Sequence, residues 1–166
     1  KNSAKLWRIA KFKNDELAMH VVSAILKLAL AYQVDVIVFE HLDIKRKKRG
    51  ANKQKLHMWK KNTIQQLVMH KAHRYGMRIS RVCPYNTSKL AYDGSGYVLR
   101  GNKANLPTYE LCQFTNGKIY NCDLSASYNI AARYFIREIE KSTSVMKWSQ
   151  AIANVKRNAE TVRLFA

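Results

Sequence analysis

Acidic side chains are scarce in this sequence of 166 residues. It contains 11 Asp and Glu residues against 30 Lys and Arg residues, and its formal net charge at pH 7 is +19. So large an excess of one sign opposes compaction through repulsion between like charges, and it favours association with a polyanion. Nucleic acid is the first candidate partner, and a membrane surface is the second. Because carboxylates are so few, the position of each one is informative.

Long apolar runs and a cysteine framework are also missing. No stretch approaches the roughly 18 apolar residues of a membrane-spanning helix, and the start, residues 1–4, does not resemble a signal peptide. The sequence therefore predicts a cytosolic chain that works without a membrane. Cys83, Cys112 and Cys122 are an odd number of cysteines without CxxC spacing. Neither a disulfide framework nor a zinc site follows from them, and we expect buried thiols.

The length fits about one domain by the usual prior of roughly 100 to 200 residues, and 47% of the residues are hydrophobic. Apolar residues recur at three and four positions over residues 15–32, which predicts a helix with Asn14 or Asp15 as its N-cap. Residues 34–39 are apolar at almost every position, as is typical of a central strand covered on both faces in an α/β sheet. The apolar positions of the helix are Leu17, Val21, Val22, Ala24, Ile25, Leu28, Ala29 and Ala31.

Basic residues cluster after the predicted strand. The run Lys45, Arg46, Lys47, Lys48 and Arg49 cannot pack, so it predicts a flexible loop, either in contact with phosphate or simply solvated. A second helical pattern from residue 59 to residue 75 ends before a glycine placed as a C-terminal stop, and residues 77–83 predict a strand. Further candidates for binding phosphate are Lys60, Lys61, Lys71, Arg74, Arg78 and Arg81.

Residues 85–121 have a different character, with four of the six glycines and only short apolar runs. They predict a loop-rich insertion with hairpins at residues 94–96 and 116–117. Helical spacing returns over residues 123–140, where Asp123 can cap the helix, and a further amphipathic helix is predicted in the tail, residues 142–166. The predicted division is 1–84, 85–122 and 123–166. The apolar positions of the helix after the insertion are Leu124, Tyr128, Ala131, Phe135 and Ile139.

Four motifs follow one another in the chain. They are Ile37-Val38-Phe39-Glu40-His41-Leu42, then Trp59 before a helix, then Pro84-Tyr85-Asn86-Thr87-Ser88, then Asp123-Leu124-Ser125-Ala126-Ser127-Tyr128-Asn129-Ile130. Their order and spacing resemble the TnpB family of transposon-encoded RNA-guided nucleases, which are related to the type V CRISPR effectors. The resemblance implies an α/β, partial RNase H-like (RuvC) fold with a zinc-ribbon-like insertion. It also implies a DNA target, a guide RNA and a prokaryotic, nucleoid-associated location.

The resemblance gives roles to Glu40 and Asp123. Glu40 matches the family's second catalytic acid and Asp123 matches the third, and both would bind Mg²⁺ in a two-ion site that cleaves phosphodiesters. Asn129 is expected to support the site rather than to bind metal. Nothing before Asp15 matches the family's first catalytic aspartate. We therefore expect that acid from an N-terminal portion of the same protein or from a partner chain.

Zinc fits the sequence poorly. Where the family often carries a pair of cysteines, this chain has residues 87–94, and only Cys112 and Cys122 follow. Tetrahedral zinc needs four nitrogen or sulfur ligands. We expect the insertion to lack the metal and to be held instead by its aromatic residues, which are Tyr92, Tyr97, Tyr109, Phe114 and Tyr120.

Two other functions are compatible with the sequence. A nuclease-inactive relative that binds nucleic acid as a regulator would explain the missing first acid, although carboxylates beside a phosphate backbone would repel it. A basic RNA-binding domain is the other possibility, with Glu40 as a strand-end acid and Asp123 as a helix cap. It predicts no dependence of any activity on divalent metal.

Overall fold

The computed structural model describes residues 3–41 and 60–142. Strand β1 pairs with β2, and strands β3, β4 and β5 form a second sheet in that order. The described part of the chain is therefore mixed α/β, with short sheets. Its elements are helix α1 (Ser3–Ala31), strand β1 (Val36–Glu40), helix α2 (Lys61–His73), strand β2 (Arg78–Val82), strand β3 (Leu99–Arg100), a 3-10 turn (Gly101–Lys103), strand β4 (Leu111–Gln113), strand β5 (Ile119–Asn121) and helix α3 (Cys122–Ser142).

The chain divides into two compact units. Of the described residues, 3–39 and 60–80 belong to the first unit, and 40–41 and 81–142 belong to the second. The predicted division into 1–84, 85–122 and 123–166 stays a prediction. The basic run at residues 45–49 and the helix predicted in the tail lie outside the described residues. Among the helices that the structure describes, none has both the length and the apolar character needed to cross a bilayer.

The core of the first unit lies between α1 and α2. Its α1 residues follow one another at spacings of four and three, so the helix presents one narrow apolar line to its neighbour. Half-buried residues of both strands, such as Ile37 and Ile79, pack against this core. The buried members are Val22, Leu26, Ala29, Val68, Ala72 and Met77.

Helix α1 differs from its prediction at its start and in its buried face. It begins at Ser3, so Asn14 and Asp15 lie inside the helix and the prediction that one of them is the N-cap is wrong. Residues 3–14 contain no glycine or proline, so nothing in them interrupts a helix. Their large apolar side chains are exposed, so these residues lack the core-facing apolar stripe from which the helix was predicted. Leu17 and Leu28, from the predicted apolar stripe, are also exposed, at 60% and 61%.

Strand β1 is half-buried at every position, so the expectation of a strand covered on both faces is wrong for this part of the chain. Its described neighbour is β2. The Arg78 N–H donates to the Asp35 carbonyl at 2.8 Å, and the His41 N–H donates to the Val82 carbonyl at 2.8 Å. Because these pairs advance in the same direction along both strands, β1 and β2 are parallel.

Helix α2 ends at His73, and the predicted glycine, Gly76, completes a Schellman motif after it. The Gly76 N–H donates to the His73 carbonyl at 3.1 Å, and the Met77 N–H donates to the Ala72 carbonyl at 3.1 Å. Gly76 has φ +75°, in the left-handed region. The motif satisfies two terminal carbonyls of the helix and returns Met77 to the core beside Ala72.

The second unit contains both predicted hairpins. Strands β4 and β5 are antiparallel, with Cys112 opposite Tyr120, and Gly117 in the turn between them has φ +83°. An antiparallel bridge between Leu90 and Tyr97 closes the other hairpin. Both hairpins contribute to a small core, which consists of Ala91, Cys112, Phe114 and Cys122 with Tyr92, Val98 and Tyr120 packed against it.

Replacing Gly76 by alanine should destabilise the first unit by about 1 kcal/mol, because a Cβ is unfavourable in the left-handed region. No atom lies within 4 Å of the position of that Cβ, so the loss would be a backbone effect. Gly76→Asn is the matched control, since asparagine enters this region more readily and should cost less. Urea unfolding followed by circular dichroism measures both variants. Equal losses for the two, or no loss for alanine, would contradict the proposed role of Gly76.

Candidate active site

Glu40 is the last residue of β1 and belongs to the second unit, as Asp123 does. Its side chain is half-buried, and the Thr87 hydroxyl donates a hydrogen bond to its carboxylate. Thr87 is itself only 2% exposed. A carboxylate held by a buried hydroxyl has a restricted orientation, which a solvated acid at a strand end would lack.

The buried face of α3 is polar for most of its length. Its buried residues are Cys122, Ser125, Asn129, Arg133 and Ile136. The apolar stripe expected from the sequence is wrong in its direction, because Leu124, Tyr128 and Phe135 are exposed at 53%, 53% and 57%. The helix itself is present over the predicted residues.

The polar side chains of α3 bind the backbone carbonyls of residues 81–90. Ser125 donates to Leu90 at 3.3 Å, and Asn129 donates to Thr87 at 2.9 Å and to Leu90 at 2.8 Å. Arg133 donates to Cys83 and Tyr85, and Arg137 donates to Arg81 at 2.9 Å. We call this set of bonds the carbonyl ladder.

The donors of the carbonyl ladder follow a regular spacing in the sequence, but the prediction for this helix used only the spacing of its apolar residues. Its four donors are spaced four residues apart, so they lie one above another on a single helix face. Their acceptors occur in the reverse order, so α3 runs antiparallel to residues 81–90. Asn129 donates to the carbonyl of Thr87, whose hydroxyl donates to Glu40, and its role in supporting a site stays a prediction. Thr87, Ser125 and Arg133 were not singled out from the sequence as supporting residues.

Arg133 is fully buried. Burial lowers the pKa of its guanidinium, and the charges of Cys83 and Glu40 oppose this shift. The carboxylate of Glu40 therefore offsets part of the free-energy cost of burying a cation. The two hydrogen bonds to Cys83 and Tyr85 offset more of it. Arg133 and Glu40 are electrostatically coupled parts of the same unit.

Asp123 is the second residue of α3, and its side chain is exposed. The prediction that it caps the helix is wrong, because the Asn121 carboxamide oxygen accepts from the N–H groups of Asp123 at 2.9 Å and of Leu124 at 3.0 Å. Within residues 3–41 and 60–142, the Asp123 carboxylate has no hydrogen-bond or ion-pair partner. It lies at the positive end of the helix dipole, which favours its charge, and it is accessible to a cation.

The donor chemistry of Glu40 and Asp123 fits Mg²⁺, which binds carboxylate oxygens and water. In the part of the chain that the structure describes, no group of three or more His, Cys, Asp or Glu residues is placed to hold a metal ion. A two-ion site built on Glu40 and Asp123 would therefore need at least one further acid. The roles of the two residues as catalytic acids and metal ligands stay predictions.

The expectation that the insertion lacks zinc stays a prediction, and the surroundings of its two cysteines are consistent with it. Burial, a hydrogen bond with Cys122 and the charge of Cys122 raise the pKa of Cys112 to about 11. Metals bind the thiolate, so a raised pKa disfavours ligation. The two thiols lie near backbone carbonyls instead, Cys112 at 3.4 Å from Tyr120 and Cys122 at 3.6 Å from Tyr109.

An aromatic cluster around Lys118 joins the two hairpins. The Lys118 ammonium donates to the Tyr92 hydroxyl at 2.8 Å and lies 5.0, 6.0 and 4.9 Å from the ring centroids of Tyr92, Phe114 and Tyr120. In addition, Asn116 donates to the carboxylate of Asp93 at 3.1 Å. Of the five aromatic residues expected here, Tyr97 and Tyr109 are exposed and lie outside this cluster.

The basic residues that were candidates for binding phosphate have different surroundings. Lys60 forms an ion pair with Asp15 at 2.6 Å, and Lys61 is half-buried. Arg78 and Arg81 are exposed. The roles of these residues in binding nucleic acid stay predictions, and the basic run at residues 45–49 falls outside the described part of the chain.

The fold is similar to that of a chain in a solved structure, the cryo-EM structure of the Cas12f1-sgRNA-target DNA complex. The TM-score is 0.57 and the sequence identity is 22%, over 78% of this chain and 36% of that chain. This chain therefore spans about a third of the matched chain. At this identity the likeness establishes a shared fold. No protein-family model matches the sequence, and no curated protein matches it.

Two serines of α3 provide a matched test of the carbonyl ladder. Ser125→Ala should cost about 1 to 2 kcal/mol, because it leaves the buried Leu90 carbonyl and the Tyr92 N–H, now 3.2 Å from the Ser125 hydroxyl, without this partner. Ser127→Ala should be close to neutral, since Ser127 is exposed and bonds within its own helix. Chemical unfolding of both variants measures the difference. A free-energy cost for Ser125→Ala as small as that expected for Ser127→Ala would show that the hydrogen bonds of Ser125 add no stability.

Thiol reactivity tests the account of the cysteines. Iodoacetamide should modify Cys83 in the native chain, since Cys83 is exposed, and should leave Cys112 and Cys122 intact. The raised pKa of Cys112 also keeps its thiol protonated and unreactive at neutral pH. Mass spectrometry counts the modified residues. In denaturant, iodoacetamide should modify all three cysteines. Rapid modification of every thiol in the native chain, or tight binding of one zinc ion per chain, would contradict this account.

Proposed function

We propose that this chain is the RuvC-like nuclease portion of an RNA-guided DNA endonuclease. The observation that carries the proposal is the placement of two carboxylates in one compact unit. Glu40 ends β1 and is held by a buried hydroxyl, and Asp123 opens α3 without serving as its cap. The similarity in fold to a chain of the Cas12f1-sgRNA-target DNA complex supports the same class of protein.

The proposed chemistry is cleavage of DNA phosphodiesters at a site that binds Mg²⁺. When bound, the metal would lower the pKa of a water molecule and stabilise the leaving oxygen. Glu40 and Asp123 would supply oxygen ligands. The Thr87 hydroxyl donates to the Glu40 carboxylate, and the side-chain amide of Asn129 donates to the backbone carbonyl of Thr87. This chain of bonds orients Glu40 before any ligand arrives.

The proposed site needs a third acid, which we assign to an N-terminal portion of the same protein or to a partner chain. This chain corresponds to about a third of the chain that it matches, so most of that architecture has no counterpart here. The partners of the complete protein would be a guide RNA and a DNA target. The net charge of +19 suits both, because phosphate backbones dominate such binding.

Cleavage of labelled single-stranded DNA tests the nuclease function. The 166-residue chain should be inactive alone and should cleave, in the presence of Mg²⁺, when mixed with the upstream polypeptide that supplies the first aspartate. Glu40→Gln and Asp123→Asn should each abolish cleavage, and Thr87→Val should reduce it by roughly 10- to 100-fold because it releases Glu40. Glu110→Gln removes an exposed acid of the same unit and is the control.

The controls decide how the cleavage result is interpreted. Equal losses in Glu110→Gln and Asp123→Asn would contradict the assignment of Asp123. Cleavage that persists without divalent metal would contradict the metal site. Cleavage by the 166-residue chain alone would show that the third acid lies within it.

A nuclease-inactive binder of nucleic acid is the second candidate. The observation that favours it is the lack, among the described residues, of a third His, Cys, Asp or Glu placed with the others to hold a metal ion. It predicts salt-sensitive binding of nucleic acid without cleavage in either mixture. That result would replace the first proposal.

A further inference from the structure

The first unit has a basic groove between α1 and α2 that takes no part in the proposed active site. Its volume is about 390 Å³. Lys27 of α1 and Lys71 of α2 line it together with Arg74 and Tyr75, which follow α2, above a floor that includes Leu26. We propose that this α1–α2 groove binds single-stranded nucleic acid, with one backbone phosphate on each of the three cations and a base on the Tyr75 ring.

The three cations of the groove have no acidic partner among residues 3–41 and 60–142. The side chains of Lys27, Lys71 and Arg74 form no ion pair with any residue in the described part of the chain. The two acids of α1 lie about three turns before Lys27, and both pair with other lysines, Asp15 with Lys60 at 2.6 Å and Glu16 with Lys13 at 2.9 Å. Three like charges that line one groove repel each other, and an anion bound among them would relieve that repulsion.

Stabilisation of the helix ends explains the positions of only two of the three cations. Lys71 lies in the last turn of α2 and Arg74 just beyond it, where the negative end of the helix dipole favours cations. That account does not extend to Lys27, because the last turn of α1 contains no basic residue. It also gives no reason for an exposed aromatic ring beside the cations.

Tyr75 makes the groove suitable for a nucleotide rather than for a simple anion. Its side chain is 58% exposed, and the neighbouring Leu30 is 42% exposed. Cations that hold a phosphate backbone next to an aromatic ring that stacks on a base are the usual elements of single-strand recognition. In a duplex the bases are stacked on each other, so their faces are not available to Tyr75. The groove should therefore prefer single strands.

Fluorescence anisotropy with labelled oligo-dT, oligo-U and a duplex of equal length tests the proposal on the 166-residue chain, without Mg²⁺. The triple variant Lys27→Gln, Lys71→Gln and Arg74→Gln should reduce the slope of log affinity against log salt by about 2 for single strands, at about 0.7 per phosphate contact. The control is Lys5→Gln, Arg8→Gln and Lys11→Gln, which removes the same number of lysines and arginines from exposed positions of α1 and should change the slope less.

The tyrosine provides a second, independent readout. Tyr75→Leu should weaken single-strand binding by about fivefold or more and leave duplex binding unchanged, whereas Tyr75→Phe should retain the affinity. The oligo-dT and oligo-U arms show whether DNA or RNA is preferred. Equal slope changes in the two triple variants, or equal effects of Tyr75→Leu on single strands and duplex, would overturn the proposal. The proposed nuclease function could then still hold, because cleavage is measured separately.

Discussion

The second unit depends on the carbonyl ladder between α3 and residues 81–90. At the end of β2 and beyond it, the carbonyls of residues 81, 83, 85, 87 and 90 accept from donors outside the sheet. Ser125, Asn129, Arg133 and Arg137 supply them, one for each turn of the helix. The same bonds position the candidate site, because Asn129 holds Thr87 and Thr87 holds Glu40. Since Asp123 begins the same helix, both candidate acids depend on where α3 lies.

A polar contact surface of this kind fixes the register of the helix more strictly than an apolar one would. A shift of α3 by one residue would separate the buried side chains of Ser125, Asn129 and Arg133 from the carbonyls that they bind. Arg133 makes the requirement most severe, because an unpaired buried guanidinium is very unfavourable. Precise placement of Glu40 and Asp123 is what a site for a small divalent cation would require.

Side-chain contacts join the two hairpins of the second unit. Cys112 and Cys122 pack in the core, and Lys118 lies against three aromatic rings. Asn116 and Asp93 add a direct hydrogen bond between the two turns. Together these contacts join the two hairpins. The first unit is built differently, around an apolar core between α1 and α2.

The sequence by itself determined the elements that depend on local signals. Helices α2 and α3 follow from periodicity, and the turns at Gly76 and Gly117 follow from the conformational freedom of glycine. The two candidate acids were also found from the sequence, through motif order. Only the tertiary structure decided that α3 buries its polar face, because the partner of Arg133 lies 50 residues earlier in the chain. It also decided that Asn121, rather than Asp123, caps α3, since two cap-forming residues lie two positions apart and the end of β5 determines which one precedes the first turn.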